Sequence, residues 1–290
     1  MAPGKSSPPL RGEMIDIGGR RMRLVRAGVR SPDQPTIVLE CGAFGCAADW
    51  QVVQDRLAGR GLYSLAYDRA GLGFSDPGSE PRDGQAIAAD LEALLREAGE
   101  TGPLLMVGHS MAGLLLRVFV GRNRDRVVGV VLVDAVTPEA IEVRAAARAI
   151  NTYRHAMKLV GMWSGAGFMR PVSLVIGDLI GLEGDASVEK RRIYGSSVHT
   201  RWAAAEVTQW PATSAQGREI GPYDPALPVA VVTAGHERMA RAVKALQTVP
   251  ANASRHGYVA HIAGANHASL LGKRFADPIL DGIDHVLAAA

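Results

Sequence analysis

The chain has 290 residues, 47% hydrophobic and 21% charged, with a formal net charge of +3. That is room for one large domain, or for a core domain carrying an insertion, with enough apolar mass to bury a substantial core. The arginines are scattered and no basic stripe alternates with aromatics, which argues against nucleic-acid binding. No apolar run approaches the ~20 residues that span a bilayer, which argues against a membrane protein.

Two cysteines, Cys41 and Cys46, sit in a glycine-rich loop and build neither a disulfide framework nor a Cys/His metal set. Reduced thiols in a cytoplasmic protein are the expectation. The first ten residues lack the apolar centre of a signal peptide and read as a floppy leader.

In chain order, Met14–Ile17 and Arg21–Val25 read as short strands joined at Gly18-Gly19, a hairpin signal. Thr36–Leu39 is a continuous apolar run, as a strand buried on both faces should be. It runs into the glycine-punctuated loop Glu40–Gly45. Asp49–Ala58 has helical spacing, with Trp50, Val53 and Leu57 on one face. Leu62–Tyr67 is the next strand, and Ala86–Ala98 an amphipathic helix. Leu104–Val107 is a strand, a helix runs from the following turn to about Arg122, and Val127–Val133 is a further apolar strand ending at Asp134. This alternation implies a mostly parallel sheet with helices on both faces, whose reactive groups collect at the carboxyl ends of the strands.

From Thr137 to about Asp224 the rhythm breaks. The segment is helical in flavour over Glu139–Ile150 and Tyr153–Val160, rich in glycine, and carries three of the four tryptophans. So long an irregular insertion is more often functional than idle, and it reads as a mobile cap over the strand ends, residues 137–225. The core then comprises residues 1–136 and 226–290. It resumes with a strand at Pro228–Thr233, a helix over Arg238–Leu246, a strand at Tyr258–Ile262 and a closing helix.

One stretch carries chemistry. In residues 104–115 an apolar run stops at Gly108 and a small-residue run resumes at Met111, leaving Ser110 at the join. That is a strand, a tight turn and a helix, with small residues where a larger side chain would clash. A serine hydroxyl needs an adjacent base, and histidine is suited to that at neutral pH. Of eight histidines, His267 has the right address, in a small-residue loop after the last strand. His109 would point away from the hydroxyl and reads as structural. His236, His256, His261 and His285 read as surface or core residues, and His155 and His199, in the cap, are candidates for contact with a substrate.

Four segments, in this order, resemble an α/β-hydrolase-fold enzyme over nearly the whole chain. They are Tyr-Asp-Arg-Ala-Gly-Leu-Gly-Phe-Ser-Asp-Pro at 67–77, the elbow Gly-His-Ser-Met-Ala-Gly at 108–113, Val-Leu-Val-Asp-Ala at 131–135 and Gly-Ala-Asn-His at 264–267. The resemblance implies an eight-stranded, mostly parallel sheet, a cap inserted after the sixth strand, Ser110 as nucleophile and His267 as base. Its acid follows the sixth or the seventh strand. Asp134 holds the first place and is favoured, and Glu237, one residue early for the usual pattern, holds the second.

The sequence departs from the family pattern twice. Ala112 replaces the second glycine of G-x-S-x-G and is still small enough for the turn. Cys41-Gly42 replaces the usual His-Gly, which need not cost activity because the oxyanion hole uses main-chain N–H groups. By position those belong to Met111 and Ala43, with Phe44 as the fallback. A Cys41 nucleophile lacks a base pattern. Asp68 and Arg69 are expected to tie loops together near the site.

The expected activity is that of a serine hydrolase on a small, fairly apolar carboxylic ester, with no cofactor or metal. A lactone, an amide or a C–C bond is the alternative substrate, and a non-catalytic ligand-binding homologue the alternative class. A serine nucleophile speaks against haloalkane dehalogenases and epoxide hydrolases, which share the fold but attack with an aspartate. Phe44, Trp163, Trp202 and Trp210 are the candidate pocket residues. The partner is a small molecule, and the chain is expected as a monomer or homodimer.

Overall fold

A computed structural model describes residues 11–163, 179–235 and 241–290. The strands are β1 (Glu13–Asp16), β2 (Arg21–Ala27), β3 (Thr36–Glu40), β4 (Ser64–Tyr67), β5 (Leu104–His109), β6 (Val127–Val133), β7 (Val229–Ala234) and β8 (Gly257–Ile262). They form one sheet in the order β1-β2-β4-β3-β5-β6-β7-β8. The first two ladders are antiparallel and the rest parallel. The hairpin between β1 and β2 turns on Gly18 and Gly19, both in the left-handed region, where the Asp16 carboxylate accepts both N–H groups.

The central strands read as unbroken apolar runs because both their faces are covered. Alternate residues go to opposite sides. Ile37, Leu39, Leu105, Val107, Val131 and Val133 meet α1 (Gln51–Gly59) and the C-terminal helix Asp277–Ala289. Val38, Met106, Val130 and Leu132 meet α2 (Gly84–Glu97) and α3 (Ala112–Arg122). The chain moves from β3 through α1 to β4 on one side, then crosses back through α2 to β5 on the other. The connections leaving neighbouring β3 and β5 therefore go to opposite faces and leave a crevice at the carboxyl ends of these strands, the usual place for a ligand in such sheets.

Between β6 and β7 lie a 3-10 turn (Pro138–Glu142) and four described helices: α4 (Arg144–Trp163), α5 (Gly184–Tyr194), α6 (Ser197–Thr208) and α7 (Trp210–Ile220). The two helices expected at Glu139–Ile150 and Tyr153–Val160 are one, since nothing at Asn151-Thr152 breaks the backbone. After β7 come α8 (Arg241–Ala253) and, after β8, α9 (Asp277–Ala289). Among the described residues no helix is long and apolar enough to cross a membrane.

Candidate active site

The site begins where β5 ends. Ser110 has φ 59°, in the left-handed region that a residue with a Cβ avoids. The turn is held from both sides: Ser110 N–H donates to Val133 O at 3.1 Å, and Val136 N–H to Ser110 O at 2.9 Å. Small residues are obligatory around it. A Cβ on Gly108 would meet Leu116 at 2.7 Å, and one on Gly113 would meet the backbone oxygen of Val136 at 2.3 Å. Gly113 therefore has no room for a side chain, whereas Ala112, fully buried, carries its methyl one place earlier.

Register brings the acid beside the serine. His109 pairs with Val133 across β5 and β6, so Ser110 and Asp134 are each one step beyond the ladder on neighbouring strands. His267 comes from the loop after β8. There the Asn266 carboxamide oxygen accepts from the N–H groups of Ala268 and Ser269, at 3.1 and 2.9 Å. His267 Nδ1 lies 2.6 Å from Asp134 Oδ2, and Nε2 lies 2.9 Å from Ser110 Oγ. A carboxylate only accepts, so Nδ1 carries the proton and Nε2 presents a lone pair to the serine hydroxyl.

Burial opposes ionisation of Asp134. Hydrogen bonds from His267, the Ala234 N–H and Gln247 outweigh it and hold the carboxyl below its ordinary value. Glu237, the alternative acid, lies outside the described residues, as does His236. His109 is structural as expected but not remote: its Nε2–H donates to the His267 carbonyl at 2.9 Å and the two rings stack at 4.5 Å. Burial, and the adjacent His267, lower its pKa to about 3, so it stays neutral.

Across the crevice runs the loop after β3. Gly42 approaches so closely that a Cβ there would sit 2.9 Å from Ser110 Cβ. Arg69 fixes this loop: Nη1 donates to Cys41 O at 2.6 Å and Nη2 to Gly42 O at 2.9 Å. The same guanidinium pairs with Glu40 of β3 and Glu206 of α6. The N–H groups of Ala43, next to Gly42, and of Met111, next to Ser110, have no protein acceptor among the described residues. Asp68 ties loops together likewise, pairing with Arg23 and accepting from the N–H groups of Ala47 and Phe74. Both cysteines are free and buried. Burial, then the nearby Asp49, push their thiols well above the ordinary value, which leaves Cys41 protonated and a poor nucleophile.

A cavity of about 220 Å³ opens on Ser110 and His267, and its lining includes Ala43, Asp49, Tyr153, Ile180, Lys190 and Tyr194. The aromatic residues expected here are elsewhere. Trp202 and Phe44 pack on Leu72, Trp202 closing over Gly71, where a Cβ would meet its ring at 2.3 Å. Trp210 packs against Met111 and Leu114 and edge-on to Tyr153, and Trp163 is 67% exposed at the end of α4. Large aromatics carry no label for face, and Trp202 and Trp210 bury themselves in the seam between insertion and sheet. Of the cap histidines, His199 is buried with Nδ1 accepting from Gly73 N–H, and the exposed His155 bonds to Asn151 O. Neither lines the cavity. Tyr153, Tyr194, Lys190 and the Gln247 partner of Asp134 had no sequence signal, since polar residues on amphipathic helices are the norm.

The family model described as alpha/beta hydrolase fold matches residues 35–158, from β3 into α4. The chain has the α/β-hydrolase fold. A thermophilic esterase from Thermogutta terrifontis shares that fold at TM-score 0.67 and 18% identity, over 97% of this chain and 100% of that one. So does an epoxide hydrolase from Vigna radiata, at TM-score 0.72 and 12% identity, over 94% and 97%. A curated relative, the "Probable transporter efuK" of Hormonema carpetanum, is 38% identical over 130 residues. That match covers 43% of this chain and 18% of the relative, so the chain spans less than a fifth of that protein's length.

Proposed function

We propose that this protein is a serine hydrolase that cleaves a small, fairly apolar carboxylic ester through an acyl-enzyme. One observation carries the reading: Ser110 Oγ, His267 and Asp134 form a continuous relay of 2.9 and 2.6 Å hydrogen bonds at the mouth of a cavity. Ser110 Oγ attacks the ester carbonyl carbon while His267 Nε2 takes its proton. The Met111 and Ala43 N–H groups receive the oxyanion. Collapse of the tetrahedral intermediate breaks the C–O bond, and His267 returns the proton to the departing alcohol. Water, deprotonated by the same histidine, then attacks the acyl-serine and releases the carboxylic acid. Asp134 orients the imidazole and stabilises it when protonated. The helical insertion acts as the cap that supplies the pocket walls.

An aspartate nucleophile, the chemistry of epoxide opening on this fold, has no counterpart at position 110. A cavity below the ~300–1,000 Å³ usual for drug-sized ligands favours short acyl groups. The test is hydrolysis of p-nitrophenyl esters of graded acyl length together with fluorophosphonate labelling. Turnover and labelling are expected for the native protein, and Ser110→Ala should lose labelling and about 10⁴–10⁶-fold in kcat. Absence of both turnover and labelling in the native protein would sink the reading.

A further inference from the structure

Lys190, on α5, is the one cation in the lining of the serine cavity among the described residues. It is 4% exposed. Its ammonium donates to Asp49 Oδ1 at 2.7 Å, the only hydrogen bond it makes among the described residues. The Tyr194 ring lies under it at 5.2 Å. The other Asp49 oxygen is occupied by the Cys46 N–H at 3.2 Å. Of three N–H donors on the nitrogen, two therefore lack an acceptor among the described residues, while the side chain borders a cavity that is otherwise largely apolar. The residue is charged: burial works against the ammonium, but the Asp49 carboxylate outweighs that and raises its pKa.

A buried donor without an acceptor carries an uncompensated desolvation cost, larger when it is charged. Such a group discriminates strongly between ligands that satisfy it and ligands that do not. Because Asp49 already balances the charge, the complement is a neutral oxygen acceptor and not a second anion. A pair that served only to fasten α5 to the core would work as well sealed from the cavity. The neighbouring Glu189 does so with Arg23, both fully buried.

We infer that Lys190 is a specificity determinant of this site, and that the substrate carries a second neutral oxygen acceptor, a ketone, ether or further carbonyl, that meets its ammonium. This rests on the esterase reading above. The site thus prefers an oxygenated ester to its hydrocarbon match, with the carbonyl held between the Met111 and Ala43 N–H groups and the second oxygen on Lys190.

The experiment uses p-nitrophenyl esters in matched pairs, with one methylene of the acyl chain replaced by a ketone or ether oxygen at successive positions. Native protein should favour at least one oxygenated member over its match by 10-fold or more in kcat/KM. Lys190→Met should remove that preference, read as the kcat/KM ratio within each matched pair. Because this variant strands the Asp49 carboxylate, Asp49→Asn/Lys190→Met is the folding-safe companion, with the same expectation. The same pairs are titrated calorimetrically onto Ser110→Ala, with and without Lys190→Met, which reads the preference as a Kd ratio independent of turnover. Turnover of plain esters with no oxygenated member preferred, or a preference that survives both Lys190 variants, overturns the assignment. Absent turnover with a Lys190-dependent Kd ratio would remove the esterase reading and leave the subsite standing.

Discussion

The Asp134 carboxylate has three donors and one task. Oδ1 takes the Ala234 N–H and Gln247, which leaves Oδ2 aimed at His267 Nδ1. With the carboxylate replaced by an amide, the imidazole loses the acceptor that sets its tautomer. Asp134→Asn should therefore lower kcat by about 10³–10⁴-fold with little change in KM, whereas Glu237→Gln stays within a few-fold of native. Steady-state kinetics on the best p-nitrophenyl ester decide this, and the reverse pattern would move the acid to Glu237. At this scale the sequence was most informative where sterics act locally. Gly108, Ser110 and Gly113 announce a sharp turn because no larger set fits it. It could not reveal Lys190, one of several charged residues on a polar helix, because which of them meets the cavity depends on how α5 docks.

At the scale of elements, the insertion is fastened to the sheet by buried ion pairs more than by its tryptophans. Arg69 meets Glu206 of α6, Arg23 meets Glu189 of α5, and Lys190 meets Asp49, all with side chains under 10% exposed. Such pairs add little net stability over apolar contacts, yet losing one partner leaves a buried charge uncompensated, at about 3–5 kcal/mol. Glu206→Gln should accordingly lower the thermal midpoint. Since Arg69 also holds the Cys41 and Gly42 carbonyls, it should reduce kcat as well, and calorimetric melting with ester kinetics reads both effects. The core strands were legible because burial on both faces forces apolar runs, and their mostly parallel pairing was implied by the alternation with helices. The insertion was legible only as a break in rhythm. Its helices are specified by partners distant in sequence, and periodicity cannot show which face of Trp202 or Trp210 turns inward.

For the whole molecule, acidity is a stress with an identifiable source. His199 is buried, its pKa lowered by burial to about 4, and its Nδ1 accepts a hydrogen bond that only the neutral ring can take. Its folded pKa lies below the unfolded value of 6.5, so between pH 6.5 and 4 the unfolded chain binds a proton that the native one refuses. Its contribution to stability is complete above pH 6.5 and is lost as pH falls through that window, by up to about 1.4 kcal/mol per pH unit. His109, lowered to about 3, acts in the same sense. In His199→Gln the amide oxygen can still accept from Gly73, so melting temperatures taken from pH 7 to 4 should fall less steeply than in the native protein. An unchanged slope would assign the acid sensitivity elsewhere.

The register that sets Ser110 beside Asp134, and the β8 loop that delivers His267, also make a statement about time. Ser110 and His267 are 157 positions apart, and they meet only when β5, β6, β7 and β8 are all paired. Long-range parallel pairing is slow compared with helix formation. On dilution from denaturant, helical ellipticity should return first and hydrolysis last. Activity here is a clock that starts only when the final strand has docked.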